Sequence, residues 1–284
     1  MDKEKSIIFN IFQWNTLNKD LANKKSFPYA EDKFLKWEHR LPLIKKIIEE
    51  NNGDIICLEE VGNFEEYFKK EIFEKCSIKY DLIYEMRTSF PMGNVLGVNK
   101  ELFSIEKSEN IILDGIDGKE SGQNMIYALI NDKKTSNKFI VLVVHLKAKE
   151  ENENIRICQM NHIIKYIEDN LLGKYPIFVI GDFNAEPTYE SIINFLENKN
   201  ISPKSLFDLK KLDFTTIKLR DVLYRRVIDY IFYVGKNKDN ADKELKILDV
   251  EKGKPAMDEK IGLPNELFPS DHLYLKAKIE LNFI

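Results

Sequence analysis

Four apolar residues, Ile177-Phe178-Val179-Ile180, stop at Gly181 and are followed by a carboxylate and an amide two residues apart, Asp182 and Asn184, before Pro187 closes the stretch. An apolar run bounded in this way reads as a buried strand, and the carboxyl ends of strands are where open α/β sheets hold ligands. The pattern recurs. Residues 7–14 are aromatic and β-branched and end at Asn15, residues 54–60 end on Glu59-Glu60, and residues 139–144 end at His145. Near the C-terminus, Pro269-Ser270-Asp271-His272 precedes a strict alternation of Leu273, Leu275, Ala277, Ile279 and Leu281. A further strand over 227–234 carries Asp229 inside an apolar run. A carboxylate there is costly unless paired, and His272 is its natural partner. Strand after strand delivering an acid, amide or imidazole to one end is what a shared cleft requires.

Between the first two strands, Phe34, Leu41, Ile44, Ile47 and Ile48 keep near-helical spacing, with Pro42 tolerable only in the first turn and Gly53 as the stop. A second helix puts Ile155, Cys158, His162, Ile163, Tyr166 and Ile167 on one face. The lysine-rich stretches 147–154 and 236–246 read as solvated loops, and Lys276 and Lys278 as facing water. Strand–helix alternation followed by strands alone predicts an α/β fold with layered mixed sheets, not a purely parallel one. The 284 residues, 43% hydrophobic, show no linker, composition shift or repeat, so a single domain over 1–284 is expected.

The formal net charge of −4 argues against a broad basic groove for long nucleic acid, while leaving room for a local basic pocket. Cys57, Cys76 and Cys158 have no metal-type spacing and read as reduced thiols. The first strand follows the N-terminus too closely for a signal or transit peptide, and no apolar stretch approaches membrane-spanning length. A cytoplasmic, membrane-free monomer is the expectation.

Hard oxygen donors without clustered cysteine favour magnesium or manganese over zinc. Each candidate also has a plainer reading. Alone, Asn15 would be a turn or cap residue, Glu60 the solvated end of a strand, and His145 a satisfied core histidine. Their joint occurrence argues for a site.

In order along nearly the whole chain stand Trp14-Asn15, Asp54-Ile55-Ile56-Cys57-Leu58-Glu59-Glu60-Val61, His145-Leu146, Gly181-Asp182-Phe183-Asn184, Ile228-Asp229-Tyr230 and Ser270-Asp271-His272. Six ordered motifs resemble the endonuclease/exonuclease/phosphatase superfamily. Trp37-Glu38-His39-Arg40, the stretch from His145 through Lys147, Lys149, Arg156 and Gln159, and Phe214-Thr215-Thr216 resemble its deadenylase branch, nocturnin-type members above all. That resemblance implies a DNase I-like four-layer α/β sandwich, two central mixed sheets flanked by helices. It also implies phosphoester hydrolysis with one or two Mg2+ ions, Mn2+ being an alternative. Glu60, supported by Asn15 and Asp271, would hold the metal. Asp182 would orient or deprotonate the attacking water, Asn184 would position it, and His145 and His272, the latter oriented by Asp229, would donate to phosphate oxygens. The sequence leaves open which group removes the proton.

The nocturnin resemblance implies two substrates, the 2′-phosphate of NADP(H) and the 3′ end of poly(A) RNA. The first is favoured, because Lys147, Lys149, Arg87 and Arg225 stand at or near matching basic positions and suit a compact anion, whereas RNA tracking wants basic stripes and stacking aromatics. Asn124, with Gln123 as competitor, would contact substrate. The chain departs from the branch at Glu59, usually Gln, at Val144, usually Thr, at Lys149, usually Arg, and across residues 86–124, where Gly93-Asn94 replaces a Gly-Cys pair. Hydrolysis of another nucleotide or of an inositol phosphate or sphingomyelin, and a non-catalytic scaffold, are competing readings. The intact set of costly polar groups speaks against the scaffold.

Overall fold

The computed structural model describes residues 6–219, 222–236, 241–254 and 262–283. In chain order the strands are β1 Ser6–Asn15, β2 Ile55–Val61, β3 Tyr80–Met86, β4 Gly93–Asn99, β5 Phe103–Asp114, β6 Glu120–Asp132, β7 Lys138–His145, β8 Ile177–Asp182, β9 Lys204–Ser205, β10 Thr216–Leu219, β11 Leu223–Arg226, β12 Asp229–Val234, β13 Leu245–Lys252 and β14 Leu275–Asn282. The helices are α1 Asp32–Leu35, α2 Trp37–Asn51, α3 Glu153–Tyr166, α4 Glu190–Leu196 and α5 Ala241–Glu244.

Two six-stranded sheets form, in the orders β13-β14-β1-β2-β4-β3 and β5-β6-β7-β8-β12-β9, with β10 and β11 pairing as a separate ribbon. Each sheet has one parallel pair, β1 with β2 and β7 with β8. Both pairs are spanned by a long helix, α2 in the first case and α3 in the second. A parallel connection needs such a crossover, which is why the strand–helix alternation was visible in those stretches. The other pairs are antiparallel, so both sheets are mixed.

The sheets face each other over a shared core in which Phe9 stacks on Phe139 at 5.0 Å and meets Phe178 edge-on. Period-2 alternation sends the intervening side chains outward. There Ile56 and Leu58 pack against Ile44 and Ile48 of α2, while Leu142 and Val179 pack against Met160 and Ile163 of α3 and Phe195 of α4. The result is the expected four-layer α/β sandwich.

Several local expectations are revised. Pro42 is the sixth residue of α2, past the first turn, and Asn52 in the left-handed conformation ends that helix, ahead of Gly53. Asn tolerates this conformation, so it takes the place anticipated for glycine. The inward face of α3 is centred on Arg156, Gln159, Met160, Ile163 and Ile164, and Ile155, Cys158, His162 and Tyr166 are only half-buried. Two buried polar side chains turned the helix away from its apolar stripe. Residues 147–154 are not all loop, since Glu153 begins α3. Within 236–246, α5 packs with Ala241 and Glu244 buried, and Leu245 opens edge strand β13; residues 237–240 lie outside the described residues.

Candidate active site

The parallel and antiparallel registers align the polar strand ends. His145 of β7 pairs with Asp182 of β8, and Asp182 pairs with Asp229 of β12. Gly181, at φ 146°, is required, because a Cβ there would lie 1.9 Å from the Val144 carbonyl oxygen. This close approach brings the β7 and β8 ends together. From the other sheet, the Asn15 amide donates to Asp182 Oδ2 at 2.9 Å, while the Asn184 backbone N–H donates to Asp182 Oδ1 at 2.8 Å. His272 Nδ1 lies 3.0 Å from Asp229 Oδ2, and the Nε2 atoms of His272 and His145 each lie 3.7 Å from Asp182 Oδ2. All of these side chains except Asn184 are buried.

Glu60 reaches the site through an irregularity. The β2–β4 ladder shifts between Leu58 and Val61, and Glu60 adopts φ 59°, so its side chain leaves the strand alternation and lines the cleft. The Asn18 backbone N–H donates to Glu60 Oε2 at 3.0 Å. Glu59 keeps the alternation and is fully buried, where Gln13 Nε2 bridges it at 2.8 Å to Asp229 Oδ1 at 3.1 Å.

Buried arginines position the loops that carry these residues. Arg40, fully buried, donates from Nε to the Pro269 carbonyl at 2.6 Å and from its guanidinium to the Thr16 carbonyl at 2.7 Å. It thereby ties the chain after Asn15 to the chain before Asp271. Arg156 donates to the carbonyls of Lys147 at 2.8 Å and Lys149 at 2.6 Å, and Gln159 Oε1 accepts the Lys147 N–H. Arg40 of the Trp37-Glu38-His39-Arg40 motif, and Arg156 and Gln159, are thus fixtures of loop geometry. Thr215 Oγ1 accepts the Ile228 and Asp229 N–H groups, and the Trp14 indole donates to the His272 carbonyl at 2.7 Å.

Burial raises the Asp182 carboxyl, Asp229 adds to the effect, and the group is pushed up to about 7. Burial opposes charge on His272, but Asp229, Asp182 and Asp271 outweigh it and carry the imidazole up to about 10. Burial, reinforced by Arg87 and His272, holds His145 well below the ordinary histidine range. Burial and the neighbouring Asp229 push Glu59 well above the carboxylate range. At neutral pH the floor therefore combines an imidazolium on Asp229, a neutral imidazole and a carboxyl near its own midpoint, the separation of acid and base that hydrolytic sites use.

These groups open into a cleft of about 500 Å3 whose lining includes Glu60, Lys149, Asp182, Asn184, Thr216, Lys218, Tyr224, Arg226 and His272. Of the expected substrate contacts, Lys149 lines it, exposed at the rim. Arg87 lies near enough to Glu60 and His145 to act on their charges. Lys147 is held through its backbone, and its side chain is not part of the lining. Asn124 is 2% exposed and spends its amide on Asn110 Oδ1 at 2.8 Å and the Glu85 carbonyl; Gln123, also buried, is engaged by Gln159. Arg225 stacks its guanidinium 5.1 Å from the Phe214 ring centre, outside the lining. The register explains it: Arg225 pairs with Ile217, which faces the core, and Arg226 pairs with Thr216, which faces the cleft. Thr216, Lys218, Tyr224 and Arg226 were missed. Period-2 spacing around Lys218 was the available signal, but the ribbon's orientation depends on the Thr216–His272 bridge, which no local pattern reveals.

Among the described residues, the cleft supplies carboxylate and amide oxygens and no thiolate, which suits a hard divalent ion. Glu60 fits best, because only its Oε2 has a protein partner. Asn15 is committed to Asp182 and to the Leu17 N–H, and Asp271 Oδ2 is 2.7 Å from Lys218 Nζ. Asp182, Asp229 and His272 also present atoms within 4.8 Å of one another. The hydrogen bond between Asp229 and His272 occupies that cluster, so it reads as a hydrogen-bonded unit and not as a cation cage.

A model of the Endonuclease/Exonuclease/phosphatase family matches residues 12–272. Nocturnin of Homo sapiens is 30% identical over 284 residues, which take in 93% of this chain and 63% of that protein, so the chain spans less than two thirds of that relative. RNA exonuclease NGL1 of Saccharomyces cerevisiae is 21% identical, across 96% of this chain and 93% of that protein. The human nocturnin catalytic domain with bound sulfate has a similar structure, with a TM-score of 0.75 at 24% identity, covering 98% of this chain and 96% of that one. So does ANGEL2, a 2′,3′-cyclic phosphatase, in complex with adenosine-2′,3′-vanadate, with a TM-score of 0.80 at 21% identity over 99% and 97% of the two chains. These structural likenesses bear on the fold. With the matched model spanning every motif of the cleft floor, the chain belongs to the Endonuclease/Exonuclease/phosphatase family.

Proposed function

We propose that this protein is a divalent-metal-dependent phosphatase that removes the 2′-phosphate of NADP(H), acting as a cytoplasmic monomer through a single domain. The observation that carries the hydrolytic part is the buried set Asp182, Asp229 and His272, the imidazole hydrogen-bonded to Asp229 and 3.7 Å from Asp182, at the floor of a cleft also lined by Asn184 and Glu60. Magnesium or manganese on Glu60 would polarise the phosphate and neutralise the leaving oxygen, while Asn15 holds the neighbouring Asp182. Asp182, fixed on both oxygens, accepts the proton of a water whose oxygen attacks phosphorus, and the bond from phosphorus to the ribose oxygen breaks. Asn184 orients that water. His272, held as imidazolium by Asp229, and neutral His145 donate to phosphate oxygens as charge shifts onto them.

For the substrate, the cleft volume suits a nucleotide-sized molecule, and its cations are placed singly. Lys149 and Arg226 stand at the wall beside the exposed ring of Tyr224, a surface for one base. A net charge of −4 gives no overall electrostatic pull towards a long polyanion such as RNA. A second reading, 3′-to-5′ removal of adenylates from RNA, draws support from Tyr224 and from the likeness to an RNA exonuclease. The two separate when the protein is incubated with magnesium and either NADPH or a 5′-labelled oligo(A). Phosphate release from NADPH with intact RNA is the expected result; RNA shortening without phosphate release from NADPH reverses the order.

A further inference from the structure

Among the described residues, Lys218 is the lysine of the cleft lining that pairs with an acid of the floor. It projects from β10, whose ribbon is anchored by the Thr216–His272 bridge and by the Ile217 N–H donating to the Asp271 carbonyl at 3.0 Å. Its Nζ lies 2.7 Å from Asp271 Oδ2, and 36% of its side chain remains open to the cleft. Asp271, Glu60 and Asp182 all act on its charge, so the ammonium stands among three carboxylates. It lies 5.7 Å from the centre of the Phe27 ring, which adds cation–π support. The other cations of the lining are placed differently. Arg226 is bonded to Glu186 and Tyr189, and Lys149 lies exposed beside Glu151.

We infer that Lys218 is the built-in second cation of the cleft, so that the protein takes one divalent ion, at Glu60, and sets a lysine where a second ion would need Asp271. The inference rests on the hydrolytic reading above. Two-metal phosphoesterases hold their ions about 4 Å apart with carboxylates for each. Here Asp182 has an oxygen bonded to Asn15 and the other to Asn184, and Asp271 is neutralised by Lys218, which leaves Glu60. An ammonium is a compact point charge that binds phosphate oxygens without a demanding geometry. Its contribution is electrostatic: no proton or bond is exchanged at Lys218.

The test counts ions separately from activity. Manganese binding to the wild-type protein, to Lys218→Met and to Lys218→Arg is followed by electron paramagnetic resonance, with circular dichroism as the check on folding. Phosphate release is measured on whichever substrate the wild type hydrolyses. One ion in the wild type, a fall of about 30-fold or more in kcat for Lys218→Met, and partial recovery in Lys218→Arg support the inference. Two ions in the wild type, or a kcat within threefold of wild type in folded Lys218→Met, overturn it. Absence of hydrolysis by the wild type on every phosphoester tried would strike the functional reading, while the ion count would still decide the number of cation sites.

Discussion

The floor and the rim of the cleft are built on different principles. The floor consists of strand ends: Asn15, His145, Asp182, Asp229 and His272 are at most 5% exposed, and each is fixed by register or by a hydrogen bond to another member. The rim consists of loops and a two-stranded ribbon, where Lys149 and Tyr224 are exposed. A rigid floor holds reacting groups to fractions of an ångström, whereas loops can be exchanged to change what is bound. The proposed function therefore assigns the chemistry to the sheets and the substrate selection to the connections.

That division can be broken by substitution. The largest effect is expected for His272→Ala, a loss of about 10³-fold in kcat with little change in KM, because the imidazolium acts as charge develops. Loss in KM alone would place His272 in ground-state binding. Next, Arg40→Met removes a buried charge whose acceptors are backbone carbonyls, and an equilibrium denaturation should show destabilisation by about 3 kcal/mol. An unchanged midpoint would mean that the loops carrying Asn15 and Asp271 hold themselves.

The rate should also depend on pH in a way set by the floor. In the proposed mechanism Asp182 must be ionised to accept a proton, so kcat should rise as pH climbs through about 7. His272 must stay protonated, so kcat falls as pH passes about 10. Asp229→Asn removes the main support of the imidazolium and should draw the alkaline limb downward; a limb that stays in place would assign it elsewhere. At the rim, Lys149→Ala should raise KM by about tenfold while leaving kcat near wild type. The smallest effect is expected for Arg225→Ala, within twofold on both constants, since its guanidinium stacks on Phe214 away from the cleft. A larger effect would bring the ribbon's outer face into substrate binding.

The same division governs what could be read from sequence. Apolar runs ending in polar residues marked β1, β2, β7 and β8 and hence Asn15, Glu60, His145 and Asp182, because burial on both faces leaves a continuous apolar signal that stops where the cleft begins. Asp229 and His272 were paired on the cost of a buried carboxylate alone, and their atoms lie 3.0 Å apart. The rim resisted this treatment. Choosing between Arg225 and Arg226 requires the facing of the β10–β11 ribbon, which is set by contacts with Asp271 and His272 some 50 residues away in sequence. Asn124 was expected at the substrate but is committed to Asn110 of the paired strand β5 and to the Glu85 carbonyl of β3 in the facing sheet, partners that only the assembled sheets supply. The face of α3 was misplaced for a related reason, since Arg156 is buried against carbonyl acceptors of the preceding loop and Gln159 against the Lys147 N–H, and not by apolarity.

The most direct test of the division is Asp182→Asn, measured on every phosphoester that the wild type hydrolyses. The substitution keeps the shape of the side chain but removes the group proposed to accept the proton. The account predicts that kcat falls by about 10³-fold or more on all substrates in the same proportion, with the fold intact by circular dichroism. Full activity on any one of them would contradict a common chemistry at the floor.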